Sequence, residues 1–460
     1  MSKGLISTAN ELVTFHNSQS EEVRGTILKL SHSVIVFEVY NPYSIVQLSE
    51  VLSGLKIVRL NQEIYNGKAT VTNIVNTGII LIVAATLSDD YWKSTFDISS
   101  KKDIQKEIGR LISTFDTTQG INSELKTNIL SIRSFLSDLH NWFEKFESSF
   151  ERDSSLKIND KFILDYFSPL FERLTAFFRR SSELLKEVKE PEINMYKKFI
   201  QSNLHHLVMS SPFPVRALSK PLGFAGDYMM MHMIQRDSAE GSSLYAKFVN
   251  VFYANIPLSI SVNNRTSRLL KIIEEGVKKA EDEGREYNSL SVGCGPALEI
   301  RYFLERNNPK VKCNFYLLDF NQETLDFAKS EADKVNKSDL CSVFTRLNSV
   351  HELLKKSVNK KFEDTKYDFI YCSGLFDYLS DKVCAKLTKM FYEMLRVEGR
   401  VFVTNMHIND IDRYIVEILL EWYLIYRDED TMKTIAPSCG ESHIYTDSTG
   451  VNLCLEVTKS

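Results

Sequence analysis

The sequence predicts a multidomain α/β protein. A small β-barrel-like domain (residues 1–99) and a helical connector or lid region (100–262) precede a doubly wound, mostly parallel sheet closed by an antiparallel hairpin (263–460). Three observations predict it. Short β-branched runs crowd residues 22–96. Gly and Pro then become scarce, and apolar residues recur at helical spacing. From residue 288 strand-like and helix-like stretches alternate, as in a parallel sheet built of βα units.

In the first part "GTILKL", "VIVFEVY", "KATVTNIV" and "GIILIVAATL" read as strands, with turn signals at Asn41-Pro42, Asn66-Gly67 and Thr77-Gly78. Such spacing suits an antiparallel barrel or sandwich. The helical part carries Ile129, Ile132, Leu136, Leu139, Phe143 and Phe146 on one face, and "FILDYFSPLFERLTAFFRRSSELLKEV" continues the pattern. Residues 211–262 read as irregular chain followed by more helix. In the last part "CNFYLLDF", "YDFIYCSG" and "RVFVTNM" are strands. "DKVCAKLTKMFYEMLRVEG" is a helix with Val383, Leu387, Met390, Phe391 and Leu395 on one face, stopped by Gly399. "SHIYTD" and "VNLCLEVTK" form the closing hairpin.

The totals exclude several classes. A net charge of −4 advertises no nucleic-acid surface. Seven scattered cysteines without a CxxC pair predict reduced thiols in a cytoplasmic protein, with neither a disulfide scaffold nor a metal site. The first residues, "MSKGLISTANELVTFHN", carry no signal-peptide apolar core. The longest apolar run, Gly78 to Leu87, is shorter than the ~20 residues of a transmembrane helix, so no transmembrane segment is expected. Transient membrane-surface contact stays open.

Chemistry concentrates in "NSLSVGCGPALEIRYFLERN" (288–307). An apolar strand ends at Gly293, and Gly293-Cys294-Gly295 leads into a helix with Pro296 in its first turn. Ala297, Ile300, Phe303 and Leu304 form the apolar face of that helix. A backbone without side chains lets a ligand approach, and in open α/β sheets the ligand lies at the carboxyl ends of the strands. Asp319 closes the next strand, where an acid accepts hydrogen bonds from ribose hydroxyls. Leu298 replaces the third glycine of a dinucleotide fingerprint, which counts against NAD or FAD, and no Gly-Lys-Ser/Thr follows, so an ATP phosphate loop is absent; a nucleoside ligand without phosphates needs less from the helix N-terminus.

"SVGCGPALE", "YLLDF", "YDFIYCSGLFDYL" and "EMLRVEGRVFVTNM", in that order, resemble a Rossmann-like class I S-adenosylmethionine (SAM) methyltransferase over roughly residues 263–460. The resemblance implies SAM as cofactor, held by Gly293, Cys294, Gly295, Asp319, Phe320, Asn348, Ser349 and Ser373, with Gly374 beside the reacting methyl. Read without it, Gly293 and Gly295 form a plain turn, Asp319 caps a helix and Phe320 is core. "KPLGFAGDYMMM" (220–231) and "EWYLIYRD" (421–428) resemble the bacterial 3-hydroxypalmitic acid methyl ester biosynthesis (extracellular factor) family. That implies an O-methyltransferase making the methyl ester of a hydroxy fatty acid or similar small carboxylic acid. It also implies functional roles for Asp227 and Tyr228, which the residues alone would place in a turn.

Arg265 and Arg427 are candidate anion holders, since a guanidinium fork matches a carboxylate. His407 is a candidate proton handler after the fifth strand, and Trp422 and Tyr426 line a pocket or the apolar face of a helix. Met229, Met230, Met231 and Met233 line an acyl channel or fill core. A carboxylate acceptor is already ionised near pH 7. An amine or phenol acceptor requires a base, for which His407 or Asp227 is available. A fold that only senses SAM is the third reading.

The N-terminal part resembles a degenerate PilZ domain. Arg24 lacks a partner at Arg-x-x-x-Arg spacing, and "NIVNTG" has Val75 where such domains place Ser. This predicts a structural or interaction role, homodimer formation included, rather than dinucleotide binding.

Overall fold

The computed structural model describes residues 11–17, 22–31, 33–39, 46–59, 62–76, 81–88, 91–92, 105, 108–109, 120–150, 158–189, 192–354 and 365–460. The turn signals at Asn41-Pro42 and Thr77-Gly78, and most of residues 93–119, lie outside them.

Alternating apolar residues build the first sheet. β1 (Glu11–His16), β2 (Glu22–Leu30), β3 (Val34–Val39), β4 (Val51–Arg59), β5 (Gln62–Asn76) and β6 (Leu81–Leu87) close a barrel in the order β1-β2-β3-β6-β5-β4. Along β6 every second residue is buried, as the two-residue period of a strand requires. Val13, Phe37, Leu55, Ile57, Val71 and Val83 fill the interior. β1 and β4 escaped the sequence reading. The Asn66-Gly67 turn is overturned: both residues lie inside β5, opposite Lys56 and Leu55. Gly67 is there for close approach, because a Cβ on it would sit 2.1 Å from the Tyr91 ring.

Helices follow at Ser123–Phe150, Asp160–Leu185, Ile193–Val208 and Pro212–Ser219. Ile129, Ile132, Leu136, Leu139 and Phe143 are buried, the stripe their spacing predicts. Asn159 caps the second helix by accepting from the Phe162 N–H at 2.9 Å. Residues 211–262 are largely helical rather than irregular, with further helices at Tyr228–Gln235, Leu244–Ala254 and Pro257–Asp282. The boundary expected at 262/263 falls inside the last of these.

The second sheet has seven strands: β7 (Tyr287–Val292), β8 (Cys313–Asp319), β9 (Cys341–Leu347), β10 (Tyr367–Cys372), β11 (Leu395–Met406), β12 (Glu441–Thr446) and β13 (Asn452–Thr458). Their order is β12-β13-β11-β10-β7-β8-β9, with β13 antiparallel to both β11 and β12. All of β7 is buried, as expected of a parallel strand covered on both faces. After β9 the chain crosses back to place β10 on the other side of β7. That reversal of direction opens a crevice beyond the carboxyl ends of β7 and β10, where α/β sheets bind ligands. The helix Asp381–Met394 stops before Leu395, and Gly399 lies inside β11 rather than ending that helix.

The chain divides into two compact units. One comprises residues 1–225, 239–252 and 411–423; the other comprises 226–238, 253–410 and 424–460. Among the described residues no helix is long and apolar enough to cross a membrane.

Candidate active site

The crevice belongs to the second unit, and its floor is the turn after β7. Gly293 (φ 65°), Gly295 (φ 54°) and Ala297 (φ 48°) are left-handed, a conformation glycine adopts freely. The Gly293 and Cys294 N–H groups both donate to the Leu318 carbonyl, at 2.9 and 3.1 Å, which lashes the turn to β8. A Cβ on Gly293 would press on Leu375 at 3.2 Å, whereas one on Gly295 would meet nothing within 4 Å. Gly295 therefore borders open space. Cys294 contributes through its backbone only, because its side chain joins the buried core beneath.

Asp319 ends β8 beside this turn. Its carboxylate accepts from the Gly295 N–H at 3.4 Å and the Asn321 N–H at 3.1 Å. Burial pushes its carboxyl up to about 6, against those backbone donors. The Phe320 backbone donates to it as well, and a carboxylate has about four acceptor positions, which leaves capacity for a further donor. Phe320 and Asn348 stand half-buried beside it, and the Asn348 N–H donates to the Asp319 carbonyl at 3.0 Å. Ser349 is engaged locally: it and Glu352 cap the short helix Val350–Leu354 reciprocally, the Ser349 N–H donating to Glu352 at 2.8 Å.

The wall after β10 is polar and incompletely satisfied. Ser373 Oγ is buried without a hydrogen-bond partner among the described residues. Arg265, 8% exposed on the helix Pro257–Asp282, lies against Gly374, where an added Cβ would sit 2.9 Å from its Nη2. Its guanidinium makes one hydrogen bond, to Met231 Sδ at 3.4 Å, and no ion pair among the described residues. Burial pulls it down from the ordinary arginine value, opposed chiefly by the charge of Asp377.

Two acids here were not singled out from the sequence. Burial raises Asp377 to about 6, opposed by Arg265, while its carboxylate accepts from the Met406 N–H at 2.6 Å. Burial also raises Glu299, which accepts from the Tyr371 hydroxyl at 2.7 Å. The signal for Glu299 was its place in the first turn of the helix after the glycine turn. Asp377 left no signal beyond its position after a strand.

Several expected roles change. Asp227 caps the helix Tyr228–Gln235, accepting from the Met230 N–H at 2.8 Å. Tyr228 donates to Glu323 at 2.7 Å and packs on Phe327, with ring centroids 4.9 Å apart. Together they anchor this helix to Gln322–Val335, the helix that follows Asp319. Met230 and Met233 are core, 0% and 4% exposed. His407 is buried, with Nδ1 3.3 Å from the Gly450 carbonyl and Nε2 3.4 Å from Glu429. Arg427 is fully buried and braces its surroundings: it donates to Asp381 and the Phe376 carbonyl, each at 2.8 Å, and to Asn405 and the Leu379 carbonyl. No donor set remains open on it to hold a substrate anion. Trp422 and Tyr426 lie beyond the helix Arg413–Leu420, in chain that is neither helix nor strand.

An adenosyl ligand fits these residues: open space at Gly295, spare acceptors on Asp319 and a hydroxyl at Ser373 without a partner among the described residues.

Residues 290–399 match the family described as Methyltransferase domain. No curated protein matches the chain. Among solved structures, a possible exported protein from Bordetella parapertussis is 16% identical, with 54% of this chain and 86% of that one covered at a TM-score of 0.41. The N-methyltransferase NodS from Bradyrhizobium japonicum, in complex with S-adenosyl-l-homocysteine, is 11% identical over 45% of this chain and 89% of that one (TM-score 0.30). Magnesium protoporphyrin IX methyltransferase from Synechocystis, with bound SAM, is 11% identical over 45% and 85% (TM-score 0.31).

Proposed function

We propose that this chain is a SAM-dependent methyltransferase, with the methyltransferase-domain match over residues 290–399 as support, and that it methylates a carboxylate, that of a hydroxy fatty acid or similar small acid. The observation that carries the reading is the buried Arg265 guanidinium, which makes no ion pair among the described residues and faces Gly374 just after β10. Asp377 and Glu299 act on it through charge without pairing with it, and a ligand carboxylate in direct contact would supply that pair.

SAM supplies an electrophilic methyl group when bound. Asp319 would hold its ribose, the turn 293–295 would run beneath it, and Phe320, Asn348 and Ser373 would flank it. The chain's remaining task is to align the acceptor and exclude water. A carboxylate brings no proton to remove near pH 7. That agrees with Asp227 serving as the cap of the helix Tyr228–Gln235. Arg265 would orient the acid through a single buried cation, whose pull Asp377 tempers. The barrel is read as a PilZ-like interaction module: Arg24 is exposed and pairs with Glu22 at 3.5 Å, and no second arginine joins it in "EVRGTILKL".

The test is incubation with methyl-labelled SAM and a panel of 3-hydroxy fatty acids, short acids, phenols and amines. Label is expected in a base-labile ester. Arg265→Met should raise the acceptor KM by about tenfold or more, the scale of a lost charge-assisted hydrogen bond. Label confined to base-stable ethers or amines overturns the reading, as does SAM binding without turnover on any member.

A further inference from the structure

Folding brings two of the seven cysteines side by side, both in the second unit. Cys313 opens β8 and Cys341 opens β9, and the parallel register sets one opposite the other. Residues paired in this way project to the same face of the sheet, and both thiols enter one apolar cluster. The backbone holds the pair in step. The Cys313 N–H donates to the Leu340 carbonyl at 2.8 Å and the Cys341 N–H to the Ser338 carbonyl at 3.2 Å. Asn336 donates to the Cys341 carbonyl at 3.0 Å. Neighbouring strands lie about 4.8 Å apart, inside the roughly 4.4–6.8 Å that separates the Cα atoms of a disulfide.

The two side chains are hydrogen-bonded to each other. That bond holds the Cys341 thiol below its ordinary value, against burial and with help from Ser338. Burial instead raises Cys294, Cys372, Cys384 and Cys454, which leaves those four inert. Cys341 differs in its place as well. β9 ends the sheet, and Lys337, Asp339 and Leu340, just ahead of Cys341, are exposed. A sulfur that ionises readily, close beneath the surface and touching a second thiol, is what an oxidant attacks and a resolving cysteine then completes.

We propose that Cys313 and Cys341 are an oxidation site, which a peroxide closes into an intramolecular disulfide stapling β9 to β8. The Cys341 thiolate attacks one peroxide oxygen. The O–O bond breaks, a sulfenic acid forms on Cys341, and the departing hydroxide takes up the proton the thiol lost, giving water. Cys313 sulfur then attacks the sulfenic sulfur. The S–S bond forms, the S–O bond breaks, and the hydroxyl leaves with the Cys313 proton as a second water. Two thiols lose two electrons in all, and one peroxide is reduced to two waters. The pair stands at the amino ends of its strands, whereas Asp319 ends β8. At about 3.3 Å per residue the two places are about 20 Å apart. The staple therefore acts on stability and leaves SAM binding as it was.

The test uses full-length protein carrying Cys439→Ser, which removes the exposed thiol. The folded protein is treated with hydrogen peroxide, alkylated, digested without reductant and mapped by mass spectrometry. Expected are one cross-linked peptide pair joining Cys313 to Cys341, a monomer mass lower by two hydrogens, and reversal by dithiothreitol. The oxidised protein should melt about 4 °C or more above the reduced one, with SAM affinity within about twofold. Adding Cys341→Ala should abolish both the cross-link and the rise in midpoint. If that variant does not fold, the peptide map of the folded Cys439→Ser protein decides alone. Recovery of Cys313 and Cys341 as alkylated thiols after peroxide overturns the proposal, as does Cys341 sulfinic acid beside a free Cys313. A midpoint unchanged or lowered by the cross-link overturns the stapling role.

Discussion

Asp319 shows how much one residue's surroundings decide. It is an ordinary acid in the sequence, yet burial lifts its carboxyl to about 6 in the folded chain. In the proposed role, ribose hydroxyls would donate to it best when it is ionised. Because the folded value lies above the ordinary one, SAM affinity should hold above pH 6 and fall as the pH drops through it. Asp319→Asn should bind about 10–100-fold more weakly at pH 8, the equivalent of roughly 1.5–3 kcal/mol for a bond to a charged group, with a flat profile between pH 5 and 8. Calorimetric titration across that range checks it, and a parental profile in the variant would exclude the ribose role. Gly293, Gly295 and Asp319 were legible because a strand, a bare turn and an acid at the next strand end form a local pattern. Arg427 and His407 were not, because their partners, the Leu379 and Gly450 carbonyls among them, come from distant segments. Spacing cannot report what a buried side chain meets.

At the scale of elements, period and turn chemistry carried most of the reading, and it failed where a glycine or a helix end served packing. Gly67 makes room for a Tyr91 ring inside β5, so a dipeptide that usually marks a turn marks a close approach. Strand β11 begins immediately after Met394, so Gly399 ends no helix. The helix Tyr228–Gln235 offers a sharper check. As an N-cap, Asp227 should be replaceable by Asn with little loss of stability, whereas Asp227→Ala should cost about 1 kcal/mol. Thermal midpoints and turnover of the two variants separate cap from base. Loss of activity in a stable Asp227→Asn would restore the catalytic assignment.

At the scale of the molecule, the alternation of β and α foretold the parallel sheet, and the early β-branched runs foretold the barrel. The path of the chain between the units was not legible, because contacts distant in sequence leave no mark in composition. A fragment of residues 263–460 would begin inside the helix Pro257–Asp282 and lack Tyr228–Gln235, whose Met230, Met233 and Ile234 are buried. At roughly 1.5–3 kcal/mol per buried side chain, that loss is comparable to the whole stability of a domain. The fragment should show no cooperative thermal transition by circular dichroism. A sharp melt together with full SAM affinity would contradict the division.

That division has one more consequence. The backbone passes between the units after residues 225, 238, 252, 410 and 423, five times in all. A single protease nick at any one of these points severs a strand of the weave and releases neither half.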